Sequence, residues 1–66
     1  MCESKIFIEE NGSLRQVADE IIYIKKNGSF IEAYTVEGDT IRFKDYDIKY
    51  IDFMSSKVVL IKASSH

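Results

Sequence analysis

The 66-residue chain has one cysteine, one histidine, three glycines and no proline. A single thiol cannot form an internal disulfide, which excludes a disulfide-stapled secreted scaffold and points to a reducing, intracellular setting. No basic segment leads into a long apolar run, and no apolar stretch approaches the roughly 20 residues of a spanning helix, so neither a signal peptide nor a membrane span is expected, and the expected compartment is the cytoplasm. Basic excess is also missing: nine Lys and Arg stand against eleven Asp and Glu, a formal charge of −2. A protein that holds nucleic acid through its phosphates usually carries clustered positive charge. The lack of proline and a 45% hydrophobic content exclude a disordered or low-complexity chain.

What is present is a period-two alternation of apolar residues, broken at short intervals by Asn, Gly, Asp and Ser, which predicts an antiparallel meander. The expected strands are 5–9, 14–17, 21–25, 30–35, 40–43, 48–53 and 57–61. Asn11-Gly12 and Asn27-Gly28 tolerate positive φ and read as hairpin turns, as does Glu37-Gly38-Asp39, and Asp19-Glu20 reads as an interruption. Asp45-Tyr46-Asp47 reads as a polar corner, its two carboxylates serving turn chemistry rather than catalysis. Ile21 to Lys25 and Lys57 to Ile61 are apolar on both faces. Each is therefore expected to be central, or to meet another subunit on one face, and Asp at Ile22 or Val59 is expected to break folding or pairing. Six or seven short strands in a flat sheet would leave two open edges, so the expected fold is all-β, a small curved SH3-like or Sm-like barrel. One domain fills residues 1–66, with a functional amino-terminal segment at 1–4 and a tail at 63–66. A domain this small buries only about 60% of its unfolded surface, and nature usually supplements such a core with disulfides, a metal or a second subunit. Here a homodimer is the expected supplement.

The residues with the most distinctive chemistry lie at the start. Cys2 sits one residue from an amine at Met1. The amine, the amide nitrogen of Cys2 and its thiolate can close fused chelate rings in one plane, a donor set suited to Ni(II) or Cu(II) rather than to zinc, which prefers a closed tetrahedron of Cys and His. Glu3 is the nearest carboxylate and offers a hard oxygen or a hydrogen-bond acceptor. The competing reading makes Cys2 a plain terminal thiol. His66 could join such a site only if the tail folds back. No Cys-His pairing, Gly-rich phosphate loop or Ser nucleophile elbow supports catalysis, so the chain is not expected to be an enzyme. A second candidate surface runs through Arg42, Phe43, Lys44, Tyr46, Lys49 and Tyr50, where basic and aromatic residues interleave as in a nucleic-acid stacking platform; Asp45, Asp47 and Asp52 cancel much of its field.

With Met1-Cys2-Glu3 followed by a short strand, the chain resembles the CooT family of small nickel-binding proteins, accessory to the maturation of nickel-containing carbon monoxide dehydrogenase. The resemblance covers nearly the whole length. Val17-Ala18-Asp19-Glu20-Ile21 is similar to the family's acidic step into its central strand, Gly38 falls at its turn glycine, and Ile51-Asp52-Phe53 and Lys57-Val58-Val59-Leu60 resemble its last two strands. Ser56 stands where several members have a histidine, so no role passes to that position. The resemblance implies an all-β homodimer, Cys2 as the essential Ni(II) ligand near the two-fold axis, with Met1 and Glu3 beside it, and a nickel enzyme as client. The alternative left by the residues is a β-barrel RNA-binding or structural interaction module.

Overall fold

The computed structural model describes residues 3–63. Six strands account for most of them: β1 (Ser4–Glu10), β2 (Ser13–Asn27), β3 (Phe30–Thr35), β4 (Thr40–Lys44), β5 (Tyr46–Asp52) and β6 (Lys57–Lys62). They form one sheet in the order β4-β3-β2-β1-β6-β5. The all-β expectation holds, and the sheet is a curled half-barrel.

The curl follows from one connection. β4 and β5 are the two edges of the sheet, yet Asp45 alone separates them. Laid flat, six strands at about 4.8 Å spacing would set those edges roughly 24 Å apart, whereas a one-residue link reaches only about 7 Å. The edges must therefore meet at this corner. Asp45 takes a left-handed φ of 64°. Its N–H donates to the Ser29 carbonyl at 2.9 Å, and its carbonyl accepts from Ala63 N–H at 2.8 Å, tying the corner to the β2–β3 turn and to the end of β6. Around it Phe43 and Tyr46 meet edge to face at 6.3 Å, and Lys26 Nζ donates to Asp47 Oδ1 at 2.9 Å across the seam.

Two expected turns appear with their chemistry. Asn11 and Gly12 both have positive φ, 52° and 82°, the pattern of a tight primed hairpin. At the second, Asn27 still pairs with Phe30, so the turn residues are Gly28 and Ser29, and only Gly28 has positive φ. Two expectations change. The strands expected at 14–17 and 21–25 are one 15-residue strand, because Asp19-Glu20 bends the chain without ending it. Glu20 adopts φ 55° and Asp19 Oδ1 accepts its N–H at 2.7 Å. The sheet is also not wholly antiparallel. β6 runs parallel to β1, Lys5 opposite Lys57 through Glu9 opposite Ile61, while the other four pairings are antiparallel.

The concave face holds the core: Ile6 and Ile8 from β1, Ile21 from β2, Ile31 and Ala33 from β3, Val58 and Leu60 from β6, with Ile24, Ile41, Phe43 and Tyr46 packed around them. Val59 is fully buried on the opposite face, paired with Phe7 and Tyr50, so β6 is buried on both faces as its sequence predicts. Ile22 is not. The β2–β3 register slips between Ile21 and Tyr23, which skips Ile22, returns Ile24 to the core side, and leaves Ile22 54% exposed.

The convex face carries a polar cluster. Glu32, 7% exposed, accepts from Arg42 Nε at 3.0 Å and lies 4.0 Å from Lys25 Nζ. Beside it the Tyr23 and Tyr34 rings stack at 4.4 Å, and the hydrogen bond to Tyr23 pushes the Tyr34 phenol above its ordinary pKa.

Val59→Asp puts an unpaired charge into a fully buried position and is expected to abolish cooperative thermal unfolding. Ile22→Asp should keep the β-sheet circular dichroism and a cooperative melt. At the corner, Asp45→Val is expected to cost about 1–3 kcal/mol, the usual penalty of a left-handed φ for a branched residue, while Asp45→Gly should stay near wild type in urea titration.

Candidate metal centre

Among the expected ligands, Met1 and Cys2 lie outside the described residues, as does His66. Glu3 is described and exposed, immediately before β1. No group of three or more His, Cys, Asp and Glu side chains suited to a metal is found among the described residues. What residues 3–63 do fix is the point at which the chain enters β1.

That position is well fixed. Ser4 pairs with Ile21 of β2, Lys5 pairs with Lys57 of β6, and the Lys5 N–H donates to the Ser56 carbonyl at 3.0 Å. Lys5 Nζ also lies 3.5 Å from Asp19 Oδ1, an exposed pair of small energetic value. The chain therefore enters the sheet between the bend of β2 and the turn that joins β5 to β6.

At this entry the half-barrel is open. A groove of about 430 Å³ is bounded by Ser4, by Ile21 to Ile24 of β2, by Ile48, Ile51 and Asp52 of β5, and by Phe53, Ser56, Lys57 and Val58. Its walls are largely apolar. The turn at its lip presents Phe53 at 86% exposure and Met54 at 97%. Asp52 builds that turn: its Oδ1 accepts from the N–H groups of Met54 at 3.0 Å and Ser55 at 3.2 Å, and Ser56 closes it with φ 54°. The Ser55 backbone hydrogen bond is the main reason that the Asp52 carboxyl is held below the ordinary carboxylate pKa. The period-two pattern gave no sign of this groove. Phe53 read as the end of a strand rather than the tip of a turn, and the one available hint was the doubly apolar run around Ile22.

The residues of the second candidate surface do not share a face. Phe43 and Tyr46 pack against the core. Arg42 points the other way, onto Glu32, and Lys49 Nζ contacts both carboxylate oxygens of Glu9 at 2.7 Å. Asp45 is the corner itself, tied by its backbone N–H and carbonyl, whereas Asp47, expected to serve the turn, lies within β5 and pairs with Lys26.

Because the folded-state pKa of Asp52 is lowered, its stabilising contribution is present above the ordinary carboxylate range and is lost as pH falls through the lowered value. The Asp52 carboxyl carbon, followed by NMR, should titrate below the ordinary carboxylate range. Asp52→Ala should remove that part of the acid limb of the melting curve and loosen the 53–56 amides in hydrogen exchange.

The family model for CooT, the CO dehydrogenase accessory protein, matches residues 1–61. A crystal structure assigned to CooT from Carboxydothermus hydrogenoformans superposes with a TM-score of 0.84, covering 96% of this chain and 100% of that one at 13% sequence identity. At that identity the likeness speaks for the fold. None of the curated proteins matches. The match of the leading Met-Cys-Glu through the last strand makes this chain a member of the CooT family of CO dehydrogenase accessory proteins.

Proposed function

We propose that the protein is a cytoplasmic, non-catalytic nickel carrier that acts as a homodimer. It takes Ni(II) through the Cys2 thiolate and neighbouring backbone nitrogens, with Met1 and Glu3 beside them, and delivers it to a nickel enzyme such as carbon monoxide dehydrogenase. Nickel is cargo in this reading rather than a resident cofactor. The observation that carries it is the family match, which begins at residue 1 and so includes the Met-Cys-Glu segment. The entry geometry is consistent with it. Ser4 pairs with β2 and the next residue, Lys5, with β6, so the chain enters β1 at a fixed point of the sheet. Thiolate and amide nitrogen donors suit Ni(II) in a plane.

The thiol must lose its proton to bind. An ordinary cysteine titrates near about pH 8.5, so uptake should release protons and weaken as pH falls. The deciding experiment is calorimetric and spectroscopic titration of Ni(II) into the wild type and Cys2→Ser. The wild type is expected to develop thiolate-to-nickel charge-transfer absorption and to bind at least about tenfold tighter than the variant, or roughly 1.4 kcal/mol. Equal affinity and no such band in either protein would remove the thiolate from the function.

A further inference from the structure

We infer that the convex face of β2, β3 and β4 is a docking surface for an acidic segment of a partner protein. Only the identity of that partner, the client, rests on the carrier reading. Three features of the face support the inference.

The first is the charge that the register assembles. Residues directly opposite in an antiparallel pair share a face, as do residues two apart on one strand. Asn27, Phe30 and Lys44 therefore form one row across the three strands, and Lys25, Glu32 and Arg42 form the next. Ile31 and Ala33 point into the core, so both rows are turned outward. Three cations against one carboxylate give the two rows a charge of +2, on a chain whose formal charge is −2. A basic face on an acidic molecule selects carboxylates and repels cationic segments.

The second is the placing of Glu32 beneath its cations. The Glu32 side chain is 10% exposed, whereas those of Lys25 and Arg42 are 51% and 66% exposed. A carboxylate taken out of water must be paired, and Glu32 is, through Oε2 to Arg42 Nε at 3.0 Å and Oε1 to Lys25 Nζ at 4.0 Å. A guanidinium carries five N–H donors in a rigid fork. Glu32 engages Nε, and the terminal nitrogens suit a bidentate grip on an incoming carboxylate. An arginine anchored in advance loses less freedom on binding than one free in solvent.

The third is the aromatic border. Phe30, 37% exposed, pairs with Lys44 on one side of the charged row, and the stacked Tyr23 and Tyr34 rings flank the other side. Cations bordered by rings could in principle serve a peptide or a nucleic acid, and two observations favour the peptide. Three cations fall well short of the roughly six to ten phosphate contacts of a nucleic-acid binder. The two tyrosines also cover each other at 4.4 Å, which removes one face of each ring from base stacking.

The test is an amide NMR titration of the full-length protein, without nickel and at low salt, using a short polyglutamate peptide, a polylysine peptide of the same length and an oligothymidylate of the same charge as the polyglutamate. Polyglutamate is expected to shift the amides of Lys25, Glu32, Arg42 and Lys44 and to leave those of residues 53–56 in place. Arg42→Glu and Lys44→Glu should each weaken its binding at least about tenfold. Arg42→Lys keeps the charge but not the fork, and should weaken binding about threefold or more. Lys44→Glu leaves the Glu32 pair intact, so it carries the test if Arg42→Glu loses its melting transition. Shifts that are absent or centred elsewhere, or undiminished binding by Lys44→Glu, would overturn the docking surface. Undiminished binding by Arg42→Lys would overturn the role of the oriented guanidinium, and oligothymidylate binding as tightly as polyglutamate would overturn the acidic segment in favour of nucleic acid. Failure of the carrier reading appears separately, as equal nickel binding by wild type and Cys2→Ser.

Discussion

The structure depends on the single residue between its two edge strands. Because Asp45 must join β4 to β5, the sheet cannot lie flat, and the curl gives a chain this short an interior. The concave side then receives Ile6, Ile8, Ile31, Val58 and Leu60. The closure is lopsided. The Asp45 hydrogen bonds, the Phe43–Tyr46 contact and the Lys26–Asp47 pair all gather near the seam corner. At the entry to β1, Ile21–Ile24 and the β5–β6 turn bound an apolar groove. One tight connection thus explains both the core and the unfinished face.

The strands were legible because alternation is a local property. Side chains on a half-buried strand must alternate, and turns with positive φ select Asn and Gly, so Asn11-Gly12 and Gly28 mark chain reversals wherever the strands go. Partner choice is not local. The run Lys57 to Ile61 announces burial on both faces, but nothing in it says that its neighbour is β1 or that the two run parallel. The fate of Ile22 was hidden for a related reason. A one-residue slip against β3 reverses which side chains face the core, and the slip is set by the bend at Asp19-Glu20 and the pairing of Tyr23 with Tyr34, neither of which changes the hydropathy pattern. The exposure of Phe53 and Met54 was missed because exposure at a turn tip depends on the hydrogen bonds of Asp52 rather than on the identity of the apolar residues.

The convex face shows how the remaining charges are spent. Glu32 is nearly buried yet has two cationic neighbours, and Lys49 and Arg42 are both engaged by carboxylates. The Lys49–Glu9 pair is exposed, and such pairs contribute about 0–1 kcal/mol each. Their consequence is local: Arg42 and Lys49 are held against carboxylates of the same chain, and the Phe43 and Tyr46 rings between them are committed to the core, which makes these residues part of the barrel wall.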